Sequence, residues 1–188
     1  MEMTIHERGY WIGVDSTKHL FDLPLARAIV DLAKEFKLYA ATDIGCGDGS
    51  YTDYLNENSI WCRGFDGNPY TKALTEGRCQ VLDFSVPTEI SSTELVLCLE
   101  VGEHIPKEYE DILIENLVRC TDDILILSWA IPGQGGFGHV NCKSNDAVID
   151  KLRKYNFTYL IDKSNYLRFA SMRSWFKNTI LIFKNDNN

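Results

Sequence analysis

The sequence lacks any apolar run close to the roughly 18 residues that a membrane-spanning helix needs. It also lacks an apolar segment near its N-terminus, where residues 1–8 are polar and mixed in charge, so we expect no secretory signal. Basic residues are few, 19 against 27 acidic ones, and the formal net charge is −8. Since phosphate contacts supply most of the affinity for nucleic acid, this balance argues against a duplex-binding surface. These absences predict a cytoplasmic protein without membrane or nucleic-acid partners, and they leave its oligomeric state open.

Paired cysteines are missing as well. The six cysteines are spread along the chain without a Cys-x-x-Cys spacing, and several lie within apolar, strand-like runs. This pattern is typical of buried thiols in a reducing compartment. With 188 residues, the chain is long enough to bury a sizeable core, and we expect one domain over residues 1–188.

Strand-like and helical segments alternate along the chain. Asp22, followed by Leu23 and Pro24, predicts a helix start with a capping side chain and a proline in the first turn. Strands are predicted at residues 38–44, 60–65, 79–84, 94–99, 124–129, 157–161 and 179–183, and helices at 25–36, 51–56, 69–76, from Pro106 onwards and at 146–155. This alternation predicts a doubly wound, seven-stranded α/β sheet with an N-terminal helical segment and with ligands at the carboxyl ends of the strands.

The first predicted strand ends in the sequence Asp43-Ile44-Gly45-Cys46-Gly47-Asp48-Gly49. Glycine adopts positive φ and lets a ligand approach the backbone, so a glycine-rich turn between a strand and a helix is typical of nucleotide binding. A dinucleotide fingerprint would place its third glycine at position 50, which is Ser50. The D-x-G-x-G-x-G pattern instead resembles the first motif of the class I methyltransferases that depend on S-adenosylmethionine (SAM).

This resemblance implies a Rossmann-like methyltransferase fold, a mostly parallel sheet whose seventh strand is antiparallel, and SAM as the cofactor. Asp66, at the end of the second strand, would accept hydrogen bonds from the ribose hydroxyls, or it is an Asx-turn residue before Gly67. Asp83 would accept from the adenine amine, and Phe84 would pack on the base or in the core. The expected cofactor residues are Asp43, Gly45, Cys46, Gly47, Gly49, Asp66, Gly67, Asp83, Phe84, Leu99 and Glu100.

A second stretch, Glu100-Val101-Gly102-Glu103-His104-Ile105-Pro106, follows the fourth predicted strand. It resembles the E-V-x-E-H-I-P stretch of small-molecule methyltransferases. The resemblance implies that Leu99 and Glu100 line the methionyl end of SAM. Glu103 is expected to cap the helix that Pro106 begins.

The acceptor is expected to lie against residues 129–142, a loop after the fifth strand that is rich in glycine and polar side chains. An alcohol acceptor must lose its proton, and His139 is the first candidate for the general base, followed by Glu100 and His104. Gln134, Asn141 and Trp129 are the candidate substrate contacts. Nothing requires a metal, since a catechol-type site would need an acidic residue where Trp129 ends the fifth strand.

The aromatic-rich segment upstream of the first helix includes Trp11 and His19. It is expected either to cover the cleft or to pack over the sheet edge. Together these patterns predict O-methylation of a small polar hydroxyl compound, with sugars or glycans among the candidates. Two alternatives stay open: methylation of an amine or a carboxylate on a small molecule or protein side chain, and a catalytically silent SAM-binding partner domain.

Overall fold

Two β-sheets form in the computed structural model, which describes residues 3–187. A small antiparallel hairpin pairs β1 (Thr4–Ile5) with β2 (Trp11–Ile12). The central sheet has seven strands: β3 (Ala40–Ile44), β4 (Trp61–Asp66), β5 (Gln80–Val81), β6 (Thr93–Cys98), β7 (Thr121–Ser128), β8 (Phe157–Tyr159) and β9 (Ile180–Asn185). Their order is β5-β4-β3-β6-β7-β9-β8, and only β9 runs antiparallel to its neighbours. The predicted seven-stranded, mostly parallel sheet is confirmed.

Seven α-helices flank the sheet within the described range: α1 (Leu23–Phe36), α2 (Ser50–Glu57), α3 (Thr71–Leu74), α4 (Glu110–Cys120), α5 (Asn145–Arg153), α6 (Ile161–Ala170) and α7 (Phe176–Thr179). Asp22 caps α1 as predicted, because its carboxylate accepts a hydrogen bond from the Leu25 amide at 3.1 Å. Short 3₁₀ turns precede α1 and α4, at Ser16–Lys18 and Lys107–Tyr109. None of the helices in this part of the chain is both long and apolar enough to cross a bilayer.

Several elements differ from the sequence-based expectation. The strand expected at 79–84 pairs only at Gln80–Val81, and the helix expected at 69–76 is the single turn Thr71–Leu74. Helix α6 has no counterpart among the predicted helices, and it ends the preceding strand at Tyr159. Its apolar side chains do not share one face: Leu167 is buried whereas Phe169 is almost fully exposed. Without a helical period of apolar residues, α6 leaves no clear signal in the sequence.

The core lies on both faces of the sheet, because successive side chains of the central strands point to opposite sides. One face packs beneath α1 and α6, and the other packs beneath α4 and α5. In β7, Ile124 and Ile126 belong to the first face and Leu125 and Leu127 to the second, and all four are almost completely buried. All six cysteines are free, five of them buried and Cys142 partly buried. This stacking leaves the carboxyl ends of β3, β4, β6 and β7 along one edge.

Candidate functional site

A cleft of about 890 Å³ opens at that edge of the sheet, within the size range of small-molecule and cofactor sites. The loops after β3, β4, β5, β6 and β7 line it, together with the N-terminal hairpin and the segment around Trp175. A doubly wound sheet places its ligands at this position. Here we call residues 43–49 the glycine loop and residues 129–142 the β7 loop.

The glycine loop requires glycine for both conformation and space. Gly45, Gly47 and Gly49 have φ angles of +74°, +57° and +82°, in the left-handed region that favours glycine. A Cβ at Gly45 would overlap the side chain of Val101, and a Cβ at Gly47 would overlap the ring of His19. The loop therefore brings bare backbone to the cleft wall, as the sequence pattern predicted.

Asp66 lies beside this loop at the carboxyl end of β4. Its Oδ2 accepts a hydrogen bond from the Gly47 amide at 3.0 Å, and its Oδ1 accepts one from the Asn68 amide at 2.8 Å. Burial raises the pKa of Asp66, and these two hydrogen bonds act against that shift. An ionised carboxylate has about four acceptor positions, so two remain for a ligand. The Asx-turn and ligand-binding interpretations are thus compatible in one side chain.

Asp43 is buried at the base of the glycine loop and lines the cleft. Its Oδ2 accepts a hydrogen bond from the Thr52 hydroxyl at 2.8 Å. Burial raises the pKa of Asp43 to about 7, although the Thr52 hydrogen bond lowers it. Cys46 and Gly67, two further predicted cofactor residues, also line the cleft.

Asp83 and Phe84 line the cleft from a turn, because β5 ends at Val81 and not at Phe84. The Asp83 Oδ1 accepts hydrogen bonds from the Ser85 amide at 2.8 Å and the Ser85 hydroxyl at 2.6 Å. Phe84 is buried and packs against Phe65, with the ring centroids 6.1 Å apart. Phe84 therefore belongs to the core and to the cleft wall at once.

The segment before α1 brings two unpaired ring nitrogens to the cleft, one from β2 and one from the residue that follows the 3₁₀ turn. Trp11 and His19 both line it, and neither Trp11 Nε1 nor His19 Nε2 has a hydrogen-bond partner although both atoms are buried. The Trp11 ring lies 5.6 Å from that of His19 and 5.3 Å from that of His104. The sequence offered cleft covering or edge packing for this segment, and its aromatic side chains do cover the cleft.

Glu100 adopts an uncommon backbone conformation at the end of β6, with φ at +54°. Its amide donates a hydrogen bond to Ser128 Oγ at 2.7 Å, and its carboxylate accepts hydrogen bonds from Gln134 Nε2 at 3.1 Å and the Thr179 hydroxyl at 3.4 Å. Burial raises the pKa of Glu100. Left-handed backbone at a non-glycine residue is frequent at functional sites. The structure thus brings Glu100 and Gln134 together in the cleft, next to Leu99.

Glu103 does not cap a helix, which corrects the sequence-based expectation. Its side chain is fully buried, and neither carboxylate oxygen has a hydrogen-bond partner. The 3₁₀ turn that starts at Lys107 has no side-chain cap. Burial, followed by the charge of Glu100, raises the pKa of Glu103 well above its usual value.

His104 and His139 pack edge to face beside Glu103, with their ring centroids 4.9 Å apart. Glu103 Oε1 lies 4.0 Å from His139 Nε2. Burial lowers the pKa of His104 to about 4, and the neighbouring His139 adds to this shift. The sequence required no metal, yet one potential ligand atom from each of these three residues lies within 4.8 Å of the others.

Trp129 and Asn141 do not line the cleft, which corrects their expected role as substrate contacts. Both are buried: Trp129 Nε1 donates a hydrogen bond to the Asn141 carbonyl at 2.6 Å, and Asn141 Nδ2 donates to Glu110 Oε2 at 2.9 Å. The Trp129 ring also packs closely over Gly102. These two side chains hold the β7 loop on the protein and leave Gln134 and His139 facing the cleft.

Sequence reasoning missed two residues that hold Glu100 in place, Ser128 and Thr179. Ser128 had a usable signal, because it is the polar residue that ends the apolar run of β7. Thr179 had none, since it reaches Glu100 only through the return of β9 beside β7. Trp175, after α6, also lines the cleft, whereas Arg168, within α6, donates a hydrogen bond to the Ile180 carbonyl at 2.8 Å.

No protein-family model and no curated protein sequence matches the chain. Solved structures do match. The N-methyltransferase NodS from Bradyrhizobium japonicum WM9, in complex with S-adenosyl-L-homocysteine, has a TM-score of 0.63 and 16% identity over 92% of this chain and 93% of its own. SAM-bound CalS10, an amino pentose methyltransferase from Micromonospora echinaspora involved in calicheamicin biosynthesis, has a TM-score of 0.65 and 10% identity, covering 85% of this chain and 89% of its own. The [4+2]-cyclase SpnF has a TM-score of 0.58 and 14% identity, covering 85% of this chain and 80% of its own.

Likeness at these identities shows the fold alone. The chain has the Rossmann-like fold of class I methyltransferases, a fold on which SpnF, a cyclase, is also built.

Proposed function

We propose that this chain is a SAM-dependent methyltransferase that acts on a hydroxyl group of a small polar acceptor, with sugars or glycans among the candidates. The observation that carries the proposal is the glycine loop, whose left-handed backbone forms one wall of the cleft directly beside the Asp66 carboxylate. The formal net charge of −8 supports a small molecule or glycan over nucleic acid as the partner. The free cysteines support action in the cytoplasm.

The residues of the glycine-loop end fit the chemistry of SAM. Asp66 has acceptor positions left for the ribose hydroxyls, and Trp11 Nε1 and His19 Nε2 are buried polar atoms that still need partners. Asp83 and Phe84 offer a polar and an aromatic contact for the adenine. When bound, SAM supplies a methyl group on a positively charged sulfur, ready for in-line displacement.

The opposite end of the cleft fits an acceptor that must lose a proton. His139, Glu100 and Gln134 face it together, and burial raises the pKa of Glu100, which makes its carboxylate a stronger base. His104, with a pKa of about 4, is neutral at physiological pH and a weak base. His139 therefore stays the first candidate for the base and Glu100 the second.

An amine acceptor remains the main alternative, because NodS and CalS10 are described as an N-methyltransferase and an amino pentose methyltransferase. A neutral amine needs no base, and the polar groups around Glu100 would then only orient it. A catalytically silent SAM-binding domain is the second alternative. The paired histidines and carboxylates at the acceptor end favour chemistry on an oxygen over both.

Calorimetry with SAM, S-adenosylhomocysteine and NAD tests the cofactor. We expect micromolar-range binding of SAM and its demethylated product and none of NAD, and preferential NAD binding would overturn the proposal. Release of S-adenosylhomocysteine should then be followed across panels of alcohols, amines and carboxylates. Turnover confined to amines would replace the hydroxyl assignment, and tight SAM binding without any turnover would favour the silent domain.

A further inference from the structure

The buried carboxyl group of Glu103 lies against that of Glu100 and has no lysine or arginine partner in the described part of the chain. Neither oxygen has a hydrogen-bond partner, and no Lys or Arg among residues 3–187 forms an ion pair with it. Its nearest charged neighbour of opposite sign is His139, at 4.0 Å, which counts only when protonated. An unpaired buried carboxylate is costly, so a group that supplies positive charge at this point would stabilise the site.

The two neighbouring histidines are oriented as metal ligands commonly are. His104 Nδ1 lies 3.3 Å from the Gly138 carbonyl oxygen, and His139 Nδ1 lies 3.2 Å from that of Gln134. A ring that donates Nδ1–H to a carbonyl keeps the lone pair of Nε2 for another partner, and such a backing hydrogen bond is the usual one for metal-binding histidine.

The separations also fit one ion. Two ligands about 2.1 Å from a metal ion lie roughly 3.0–3.4 Å apart at octahedral or tetrahedral angles. Glu103 Oε1 and His139 Nε2 are 4.0 Å apart, and the three ligand atoms lie within 4.8 Å of one another. Side-chain shifts of about 1 Å would bring the three ligand atoms to the separations found around one metal ion. Gly136 keeps the space at His139 Nε2 open, because a Cβ there would overlap that atom.

We propose that Glu103, His104 and His139 bind one divalent transition-metal ion, which holds the acceptor hydroxyl beside Glu100. Two imidazoles and a carboxylate favour Mn²⁺, Fe²⁺, Co²⁺ or Zn²⁺ over Mg²⁺ and Ca²⁺, which prefer oxygen ligands. Three protein ligands leave coordination positions for the acceptor oxygen. The role as acceptor site rests on the proposed methyl transfer, whereas the metal site itself does not.

With a metal ion at this site, Glu100 replaces His139 as the proposed general base. The ion lowers the pKa of the hydroxyl that it coordinates, and the Glu100 carboxylate takes the proton. The acceptor oxygen then bonds to the methyl carbon while the carbon–sulfur bond breaks and its electron pair returns to sulfur. The products are a methyl ether, S-adenosylhomocysteine and a protonated Glu100. His139 is then a metal ligand, and Glu100 is the base.

Metal binding can be measured without any methyl acceptor. The full chain is stripped with EDTA and titrated with Mn²⁺, using electron paramagnetic resonance to count the free ion, and with Co²⁺, using visible absorption. We expect one ion per chain. Glu103→Gln should bind more than about 100-fold more weakly, since even outer-shell partners of a metal contribute 10–100-fold. Gly136→Ala, which keeps every ligand but crowds His139 Nε2, should also weaken binding.

Glu57→Gln is the control, because Glu57 is an exposed glutamate at the end of α2 that does not line the cleft. It should bind Mn²⁺ like the unchanged chain, and circular dichroism should show that all three variants are folded. If the folded, unchanged chain binds neither Mn²⁺ nor Co²⁺, or if Glu103→Gln binds them equally well, the metal site is wrong.

SAM calorimetry on the same samples separates this inference from the proposed function. Glu103 does not line the cleft, so Glu103→Gln should keep its SAM affinity while losing the metal. Metal binding without SAM binding would overturn the methyltransferase proposal and leave the metal site standing. SAM-dependent turnover that is unchanged in excess EDTA would overturn the metal ion's role in holding the acceptor and leave the methyltransferase standing.

Discussion

Glu103 and Glu110 are both buried, yet their surroundings are opposite. Glu110 accepts hydrogen bonds from Asn141 at 2.9 Å, from Lys143 at 2.8 Å and from Lys151. Burial acts to raise the pKa of Glu110, but these hydrogen bonds outweigh it, and the pKa lies below its usual value. Glu103 has no such donors, and its pKa lies well above its usual value. A paired buried carboxylate is part of the scaffold, whereas an unpaired one indicates a binding site.

The two glutamates are linked through Asn141. Its backbone amide donates a hydrogen bond to the Glu103 carbonyl at 2.9 Å, while its side chain donates to Glu110. Through Asn141, Glu110 thus anchors the segment that carries His139 next to Glu103. The contacts of Glu110 stabilise the fold, whereas Glu103 is left available to bind a ligand.

The largest effect is expected at Asp43, a third buried carboxylate that lies between these extremes with one hydrogen bond, from Thr52. Burial raises its pKa from 3.8 to about 7. The folded chain therefore keeps a proton that the unfolded chain releases at lower pH, so the stability contribution is fully present below pH 3.8 and is lost as the pH rises through about 7. A shift of about three pKa units corresponds to roughly 4 kcal/mol of unfolding free energy.

Asp43→Asn tests this dependence, because the amide keeps the acceptor for Thr52 but cannot ionise. Urea unfolding across pH 4–8 should give a profile about 4 kcal/mol flatter than that of the unchanged chain. Asp31→Asn, at an exposed position on α1, is the control and should follow the unchanged chain. A parallel profile for Asp43→Asn would show that Asp43 is already ionised at low pH.

The second prediction sets Glu103→Gln against Glu110→Gln. Removing the Glu110 charge leaves Lys143 without its ion-pair partner, while Lys151 keeps Asp111 at 2.6 Å. Breaking such a buried pair should lower the unfolding free energy by about 3 kcal/mol, at the low end because both lysines are partly exposed. Glu103→Gln removes an unpaired carboxyl and should leave the metal-free chain equally stable or more stable. Urea unfolding in EDTA measures both, and a larger loss for Glu103→Gln would break the comparison.

Much of the scaffold was predictable because its signals are local. The Asp22 cap, the apolar strand runs and the glycine loop each follow from short stretches of sequence, and the structure contains all three. Helix α6 was not predictable in this way, since its apolar residues are spread around the helix.

Only the part of the site whose signals are local could be predicted from the sequence. The residues expected at the cofactor end lie together, because one βα unit fixes their spacing. The roles of Glu103, Trp129 and Asn141 depend on what packs behind them, and that comes from distant segments. Trp129 and Asn141 looked like substrate contacts because they belong to a polar loop, yet burial turns both into its anchors.

The third prediction concerns the glycine loop, and it separates backbone strain from contact. Gly47→Ala forces an L residue to φ +57° and places a Cβ against His19, so we expect a loss of about 1–2 kcal/mol in stability together with weaker SAM binding. Gly77→Ala is the matched control, since Gly77 lies outside the cleft and has φ +81°, but a Cβ added there would meet nothing within 4 Å. It should lose similar stability and keep its SAM affinity. Equal SAM affinity in the two variants would contradict a cofactor role for Gly47.

The smallest effect is expected at Asp66, which is neither saturated like Glu110 nor unpaired like Glu103. Two of its acceptor positions hold the Gly47 and Asn68 amides, and the remaining ones are proposed to bind the ribose hydroxyls. Asp66→Asn keeps one amide oxygen for the loop but loses the charge, so SAM binding should weaken about tenfold, or about 1.4 kcal/mol, by calorimetry. Asp31→Asn should bind SAM normally. If Asp66→Asn binds SAM as tightly as the unchanged chain, Asp66 does not bind the cofactor. Its role is then structural, to hold the Gly47 and Asn68 amides.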